Sequence, residues 1–99
     1  MEVSVIIPTL NEAPTIVSAI QSARDFGATE VIVVDGGSQD ATLTLAQSQN
    51  AICVESTAGR GKQLNAGARQ AHSNWLLFLH ADAVLPCNGL NYIRNAVDS

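Results

Sequence analysis

The sequence predicts a doubly wound α/β domain built around a mostly parallel sheet of four strands. Four short runs are apolar throughout, without alternating polar residues, which is typical of parallel strands buried on both faces. A segment with helical spacing follows each run, so right-handed parallel crossovers are expected. The pattern favours the strand order 3-2-1-4 and leaves the order 2-1-3-4 open.

The predicted strands stop where turn-forming or polar residues begin. They cover residues 3–7, 31–34, 51–54 and 75–79. Pro8 ends the first strand, Asp35-Gly36-Gly37 ends the second, and His80-Ala81-Asp82 ends the fourth. The run at 51–54 is the weakest of the four, and the run at 75–79 is the strongest.

The first two predicted helices have clear start and stop signals. Pro14 suits the first position of a helix, and Gly27 suits its end. The apolar face of this helix consists of Ile16, Val17, Ile20 and Ala23. We expect Ser38 to cap the second helix, with Asp40 in its first turn. The apolar side of the second helix consists of Leu43, Leu45 and Ala46.

The last two predicted helices are shorter or less sharply bounded. The third runs from about residue 62 to residue 71, with Leu64 and Ala68 facing inward. The fourth follows Pro86 and Asn88. Its apolar residues are Leu90, Ile93 and Val97.

Length, charge and cysteine content exclude several classes of protein. The 99 residues suit one domain, and a hydrophobic fraction of 46% argues against a disordered chain. A net charge of −4 without a basic patch argues against nonspecific nucleic-acid binding and against docking on an anionic membrane. The N-terminus lacks the basic start of a signal peptide, and Cys53 and Cys87 are expected to be buried thiols in a reducing compartment. We therefore expect a soluble cytoplasmic protein.

Polar residues follow the strands that should meet at one edge of the sheet. Ligands of open α/β sheets bind beyond the carboxyl ends of the strands, where the winding direction reverses. With the order 3-2-1-4, residues 8–12 and 80–82 meet there, and residues 35–38 lie beside them. Asp35 can accept a hydrogen bond from a ribose hydroxyl or a base N–H, and the glycines after it allow close approach. The alternative is that Asp35 only shapes the turn or caps the next helix.

Two further signals indicate a phosphate-bearing ligand at this edge. His80 and Asp82 share a side of an extended loop, where they can hold a divalent metal. The alternative for this pair is a capping carboxylate and a hydrogen-bonded histidine. Residues 59–62 are basic and glycine-rich and open a helix whose backbone N–H groups attract phosphate, although Arg60 also suits a solvated turn. Neither a Walker A loop nor a dinucleotide-binding fingerprint is present.

Four stretches form a specific combination, although each of them alone is a weak signal. They are VSVIIPTLNE at 3–12, VIVVDGGSQD at 31–40, GRGKQLNAG at 59–67 and FLHAD at 78–82. In order and spacing they resemble the N-terminal half of a family 2 glycosyltransferase with the GT-A fold. The resemblance implies a Rossmann-like domain that binds a nucleotide sugar, usually linked to UDP or GDP. It also implies inverting transfer of the sugar to an acceptor hydroxyl.

The resemblance implies roles in nucleotide binding for residues on three loops. The loop that walls the base and ribose corresponds to Pro8, Thr9, Asn11 and Glu12. Asp35 matches the carboxylate that contacts the nucleobase. Lys62 and Asn65 match the segment that lines the donor pocket.

The resemblance also implies a divalent cation, Mn²⁺ or Mg²⁺, at the diphosphate. Asp82 matches the last Asp of the family's Asp-x-Asp motif, which binds this metal. His80 stands in place of the first Asp, as in one bacterial branch with His-Ala-Asp, and we count it among the nucleotide-sugar-binding residues.

The general base of such enzymes lies in the C-terminal half, so the sequence leaves the catalytic residue unknown. Because the chain ends at Ser99, shortly after the metal motif, we expect a single truncated donor-binding domain over 1–99 with little or no transfer activity of its own. The fourth strand has no predicted neighbour beyond it, which predicts a homo-oligomer through that exposed edge. The alternative function is a non-catalytic nucleotide-binding or assembly module.

Overall fold

A four-stranded parallel sheet with helices on both faces makes up the fold. The computed structural model describes residues 1–98, and Ser99 lies outside the described residues. The strands are β1 (Val3–Thr9), β2 (Glu30–Asp35), β3 (Ile52–Glu55) and β4 (Trp75–Phe78), and the helices are α1 (Ile16–Phe26), α2 (Thr42–Ser48), α3 (Arg60–Gln70) and α4 (Gly89–Asp98). The strand order is β3-β2-β1-β4 with every pairing parallel, which confirms the order 3-2-1-4.

The first strand is longer than predicted, because it continues through Pro8 to Thr9. Proline has no N–H to donate, so a strand tolerates it only where no neighbouring carbonyl needs that hydrogen bond. The carbonyl of Ile6 accepts a hydrogen bond from Leu79, so the even-numbered backbone groups of β1 face the β4 side. Since β4 ends at Phe78, the missing N–H of Pro8 leaves no ladder bond unmade.

The core consists of two apolar layers, one on each face of the sheet. On one face Val5, Ile7 and Val33 are fully buried beneath α1 and α2. On the other face α3 packs on β1 and β2, where it covers a second cluster of buried residues. That cluster consists of Ile6, Ile32 and Val34, with Leu64 and Ala68 of α3 partly buried against it, as predicted.

Burial on both faces holds for the central strands and fails for β4. Trp75, Leu76 and Phe78 are each exposed by 40% or more, because β4 is an edge strand and α3 packs mainly over β1 and β2. The sequence prediction of a continuous apolar strand was right, but its apolar character does not reflect burial within the described residues.

The first helix ends as predicted and begins later than predicted. Gly27 adopts the left-handed conformation with φ 117°, and its N–H bonds back to the last turn of α1. Pro14 lies in the turn before the helix, so its assignment to the first helical position was wrong. The carbonyl of Glu12 accepts hydrogen bonds from Thr15 and Ile16, and this turn delays the start of α1 to Ile16.

The second helix begins four residues after its predicted cap. Ser38 does not cap α2, because its hydroxyl donates to the Asp35 carboxylate. Asp40 was expected in the first turn but precedes the helix. It accepts hydrogen bonds from the N–H and hydroxyl of Thr42, the first residue of α2.

The predicted apolar face of the fourth helix is only partly buried. Leu90 is buried against the core, whereas Ile93 and Val97 are exposed by about half, so the predicted inward face of α4 is correct only at Leu90.

The two cysteines lie in different environments. Cys53 on β3 is half-buried, and burial, with the nearby Asp35 carboxylate, raises the pKa of its thiol. Cys87 is exposed, which contradicts its prediction as a buried thiol. None of the helices within 1–98 has the length and apolar character needed to cross a membrane.

Candidate functional site

A cleft of about 200 Å³ opens at the carboxyl ends of β1 and β4, beside the first turn of α3. This is the point at which the sheet order reverses, because β1 lies between β2 and β4. The cleft is lined by Pro8, Thr9, Leu10, Glu12, Arg60, Gln63, Leu64, Phe78, Leu79 and His80. Five of the predicted site residues are therefore close together here: Pro8, Thr9, Glu12 and His80 in its wall, and Asp82 through its contact with His80.

The loop after β1 is held in place by the loop after β2. Asn11 adopts a positive φ of 54°, its N–H donates to the Ser38 hydroxyl at 2.8 Å, and its side-chain oxygen accepts from the N–H of Gln39 at 2.8 Å. The N–H of Glu12 donates to the hydroxyl of Thr42 at 2.8 Å. Asn11 therefore holds together the loop after β1 and the loop after β2 through its two hydrogen bonds.

Asp35 is buried and its carboxylate accepts four hydrogen bonds from the protein. One oxygen accepts from the N–H groups of Gly37 and Ser38, and the other accepts from the hydroxyls of Thr9 and Ser38. Burial alone would raise the pKa of Asp35, but these four donors outweigh it and hold the pKa below its ordinary value. The carboxylate therefore shapes the turn after β2, which is the alternative that the sequence left open. Whether it also contacts a nucleobase stays a prediction.

His80 and Asp82 form a pair at the mouth of the cleft. Nδ1 of His80 lies 2.6 Å from a carboxylate oxygen of Asp82, and both side chains are more than half exposed. The two residues do share a side, as their spacing predicts. Within residues 1–98 no cluster of three or more His, Cys, Asp or Glu side chains is present. The donor set fits a cation such as Mg²⁺ or Mn²⁺ that takes one carboxylate from the protein and completes its shell with water and phosphate oxygens.

The first turn of α3 contributes one basic side chain to the cleft. Arg60 lines it, whereas Lys62 and Asn65 are exposed and lie outside its wall. The helix starts after Gly59, which has φ 142°, so the free N–H groups of the first turn open beside Arg60. The structure therefore brings Arg60, rather than the predicted Lys62 and Asn65, into the cleft.

Gln63 is a site residue that the sequence prediction missed. It is buried, and its side chain connects the start of α3 to the ends of β1 and β2. One signal was available: Gln63 and Gly67 are four residues apart and share the inward face of α3, where a polar side chain needs a buried partner.

An apolar wall was also missed. Leu10, Leu64 and Phe78 line the cleft, and Leu10 and Phe78 are exposed by more than 40%. Exposed apolar side chains next to a polar rim are typical of a ligand-binding surface. The sequence assigned Leu64 to the core, Leu10 to the loop after the first strand and Phe78 to the fourth strand, and it named none of them as a site residue.

The family of the chain follows from its match to a family model. The model described as glycosyl transferase family 2 matches residues 4–98. The chain belongs to glycosyltransferase family 2. This confirms the family to which the four sequence stretches were assigned. The His-Ala-Asp branch stays a prediction.

Two curated glycosyltransferases are similar over most of the chain. Glycosyltransferase AglJ from Haloferax volcanii is 37% identical over 82 residues, which cover 81% of this chain and 27% of AglJ. A PGL/p-HBAD biosynthesis glycosyltransferase from Mycobacterium bovis is 36% identical over 88 residues, which cover 80% of this chain and 34% of that protein. This family 2 chain thus spans about a quarter to a third of the length of these relatives.

Solved structures of two proteins superpose closely on this chain. S. aureus TarS does so with a TM-score of 0.88 at 28% identity over 99% of this chain and 20% of TarS, and its 1–349 form has been solved in complex with UDP. Glucosyl-3-phosphoglycerate synthase from Mycobacterium tuberculosis, in complex with Mn²⁺, UDP and glucosyl-3-phosphoglycerate, gives 0.76 at 28% identity over 87% of this chain and 35% of the synthase. The fold is the Rossmann-like α/β fold of GT-A glycosyltransferases.

Proposed function

We propose that the cleft between β1, β4 and α3 is the donor site of a family 2 glycosyltransferase. Its ligand is a nucleoside diphosphate sugar, linked to UDP or GDP, and the sugar passes with inversion to an acceptor hydroxyl. The observation that carries this proposal is the position of the cleft at the switch point of the sheet, where an arginine and a histidine face an apolar wall. The TarS and synthase structures that contain UDP support it.

The nucleoside part of the donor lies against the loops after β1 and β2. Pro8, Thr9, Asn11 and Glu12 wall the base and ribose, because Pro8, Thr9 and Glu12 line the cleft and Asn11 holds their loop in place. Asp35 receives the base. Its four acceptor positions are occupied, and the Ser38 hydroxyl is the donor that can rotate away to admit a base N–H.

The diphosphate lies between the first turn of α3 and the loop after β4. Arg60 and the free N–H groups of that turn face one side, and the His80–Asp82 pair faces the other. Asp82 holds Mn²⁺ or Mg²⁺, which when bound stabilises the charge that builds on the leaving nucleoside diphosphate. Lys62 and Asn65 act from outside the cleft wall, where Lys62 adds positive charge near the phosphates.

The general base of an inverting transfer is assigned to no residue of this chain. In this proposal the chain binds the donor. Transfer of the sugar is proposed for a whole protein of the relatives' length. The cytoplasmic location expected from the sequence also stays a prediction.

Calorimetric titration with UDP and with GDP, each with and without Mn²⁺, tests the donor site. We expect one of the two nucleotides to bind, and to bind at least tenfold more tightly when Mn²⁺ is present. Titration of Mn²⁺ alone is the control for metal binding elsewhere on the chain. Absence of binding to both nucleotides contradicts the proposal.

The exposed fourth strand favours a second candidate, an assembly module. Leu76 and Phe78 of β4 are exposed together with the free backbone groups of a sheet edge. Under this reading two copies associate through β4 and the cleft has no catalytic use. Association through β4 is compatible with the donor site, so nucleotide binding is the measurement that separates the two candidates.

A further inference from the structure

The side chain of Gln63 connects three segments at the base of the cleft. Its NH₂ group donates to the carbonyl of Thr9 at 2.9 Å and to the carbonyl of Val34 at 3.0 Å. Its oxygen accepts a hydrogen bond from the N–H of Gly59 at 3.2 Å. Both donors and the acceptor of the amide are therefore used, and the first turn of α3 is tied to the ends of β1 and β2.

The segment that Gln63 holds is rich in glycine. Arg60 lies between Gly59 and Gly61, and glycine on both sides gives the backbone wide conformational freedom. The Gly59 N–H bonds to the Gln63 side chain and the Gly59 carbonyl accepts from the Gln63 N–H at 2.9 Å, so one residue holds both polar groups of this glycine. A Cβ atom added at Gly61 would have nothing within 4 Å of it.

The neighbouring loop leaves space for this amide. A Cβ atom at position 36 would lie 3.0 Å from three atoms of the Gln63 amide. Gly36 therefore admits Gln63 to its buried position, and the amide packs between the β2 loop and α3. This arrangement does not depend on any residue in the proposed metal site.

Arg60 is the one Arg or Lys that lines the cleft within the described residues 1–98. A guanidinium there attracts the charged diphosphate and has no comparable attraction for an uncharged nucleoside. We propose that Gln63 is a positioning residue that holds Arg60 and the first turn of α3 toward the diphosphate of the donor. This inference rests on the proposed function, because the diphosphate is the group that Arg60 meets.

Backbone ¹⁵N relaxation of the nucleotide-free protein tests the first half of the inference. In Gln63→Met we expect the order parameters of Arg60 and Gly61 to fall from about 0.85 to below about 0.6, while that of Gly67 stays near the rigid value. Gln70→Met is the matched control, because Gln70 is exposed at the end of the same helix, and it leaves all three values unchanged. An equally rigid first turn in Gln63→Met overturns the proposal.

Nucleotide affinity tests whether this positioning of Arg60 favours the diphosphate. The nucleoside diphosphate that binds in the calorimetric test, UDP or GDP, is compared with its nucleoside by NMR titration. We expect Gln63→Met to weaken the diphosphate about tenfold and the nucleoside less than twofold, with no change in Gln70→Met. Equal weakening of both ligands indicates a merely structural role and overturns the proposal.

A second variant keeps the test decisive if Gln63→Met does not fold. In Gln63→Glu the new carboxylate accepts from the Gly59 N–H but cannot donate to the carbonyls of Thr9 and Val34. Because its negative charge would by itself repel the diphosphate, this variant is tested by relaxation. We expect the order parameters of Arg60 and Gly61 to fall as in Gln63→Met, and unchanged values in a folded Gln63→Glu contradict the proposal. If the unaltered chain binds neither nucleotide, the donor-site proposal fails, and the relaxation measurement alone decides whether Gln63 holds Arg60.

Discussion

Asp35 shows how a buried carboxylate is kept ionised by its own turn. Its pKa in the folded chain is lowered by four donors, against the effect of burial. The unfolded chain binds protons more readily than the folded one, so Asp35 stabilises the fold above its unfolded pKa of about 3.9. This contribution is lost as the pH falls through the lower folded pKa.

We expect Asp35→Asn to destabilise the fold by about 1–3 kcal/mol at pH 7, because the amide NH₂ meets donors where the carboxylate accepted from them. Urea unfolding at pH 7 and at pH 3 measures this, and the cost of the substitution shrinks at pH 3. Asp25→Asn, at an exposed aspartate of α1, is the control and changes stability little. A cost that is the same at both pH values contradicts this account of Asp35.

Asp82 is exposed and contacts only His80 among the described hydrogen bonds and ion pairs, so its role is tested without damage to the fold. We expect Asp82→Ala to abolish the Mn²⁺-dependent part of nucleotide binding and to leave the free energy of unfolding within about 0.5 kcal/mol. Calorimetry with and without Mn²⁺ and urea unfolding give the two quantities, with Asp25→Ala as the control. Unchanged Mn²⁺ dependence in Asp82→Ala removes Asp82 from the metal site.

For single residues, the sequence predicted their place at the sheet edge better than it predicted their hydrogen-bond partners. The strand-end residues Thr9, Glu12 and His80 were placed correctly because the carboxyl ends of parallel strands share one edge. Lys62 lies outside the cleft wall because Arg60 lines it, and a residue two positions further along a helix is turned by about 200°. Gln63 was missed because its partners are carbonyl groups on other strands, and no local pattern specifies those contacts.

The close approach of α3 to the sheet depends on Gly67. A Cβ at this position would lie 2.5 Å from a methyl carbon of Ile6 and 2.9 Å from one of Val34. Alanine favours a helix over glycine by about 1 kcal/mol, whereas overpacking costs about 1–3 kcal/mol or more, so sterics outweigh propensity here.

We therefore expect Gly67→Ala to destabilise the fold by up to about 2 kcal/mol, the difference between these two effects. Gly61→Ala is the matched control on the same helix, since nothing lies within 4 Å of its added Cβ and its φ is ordinary. It should be neutral or slightly stabilising in the same urea experiment. Equal stability of the two variants contradicts the close packing of α3.

The helices and strands were predicted where local signals decide their bounds. Gly27 ends α1 as predicted, because the left-handed conformation after a helix favours glycine in any context. The start of α2 was wrong because Ser38 is used by Asp35 and Asn11, two residues that reach it through the tertiary fold. Local capping preferences cannot include such competition.

For the whole molecule, the strand order and the free edge of β4 were predictable, and the exposure of the β4 side chains was not. Buried runs separated by helices limit the order to two choices, and α3 crossing to the opposite face from α1 and α2 goes with the observed one. An apolar run in the sequence has the same appearance whether a strand is central or at an edge. The free edge of β4 was expected from the sequence, whereas the exposure of its side chains came from the structure alone.

The two edge strands of the sheet differ in how well their side chains discourage pairing with another chain. β3 ends in a charged residue, Glu55, and its Cys53 is only partly exposed. β4 has no charge, and three of its four side chains are large, apolar and exposed. Charged residues at an edge discourage pairing with another chain, so β4 is the edge at which a second copy is expected to add.

We expect the chain to be a homodimer at micromolar concentration, paired through β4, and light scattering measures its mass. Leu76→Lys should give a monomer, because a charge on β4 must then be buried at the contact. Ile52→Lys on β3 is the matched control, since Ile52 and Leu76 are each exposed by 40%, and it should remain a dimer. A monomeric mass for the unaltered chain refutes the pairing. Dissociation by Ile52→Lys but not by Leu76→Lys assigns the contact to β3, because only the edge that is buried between the copies is sensitive to an added charge.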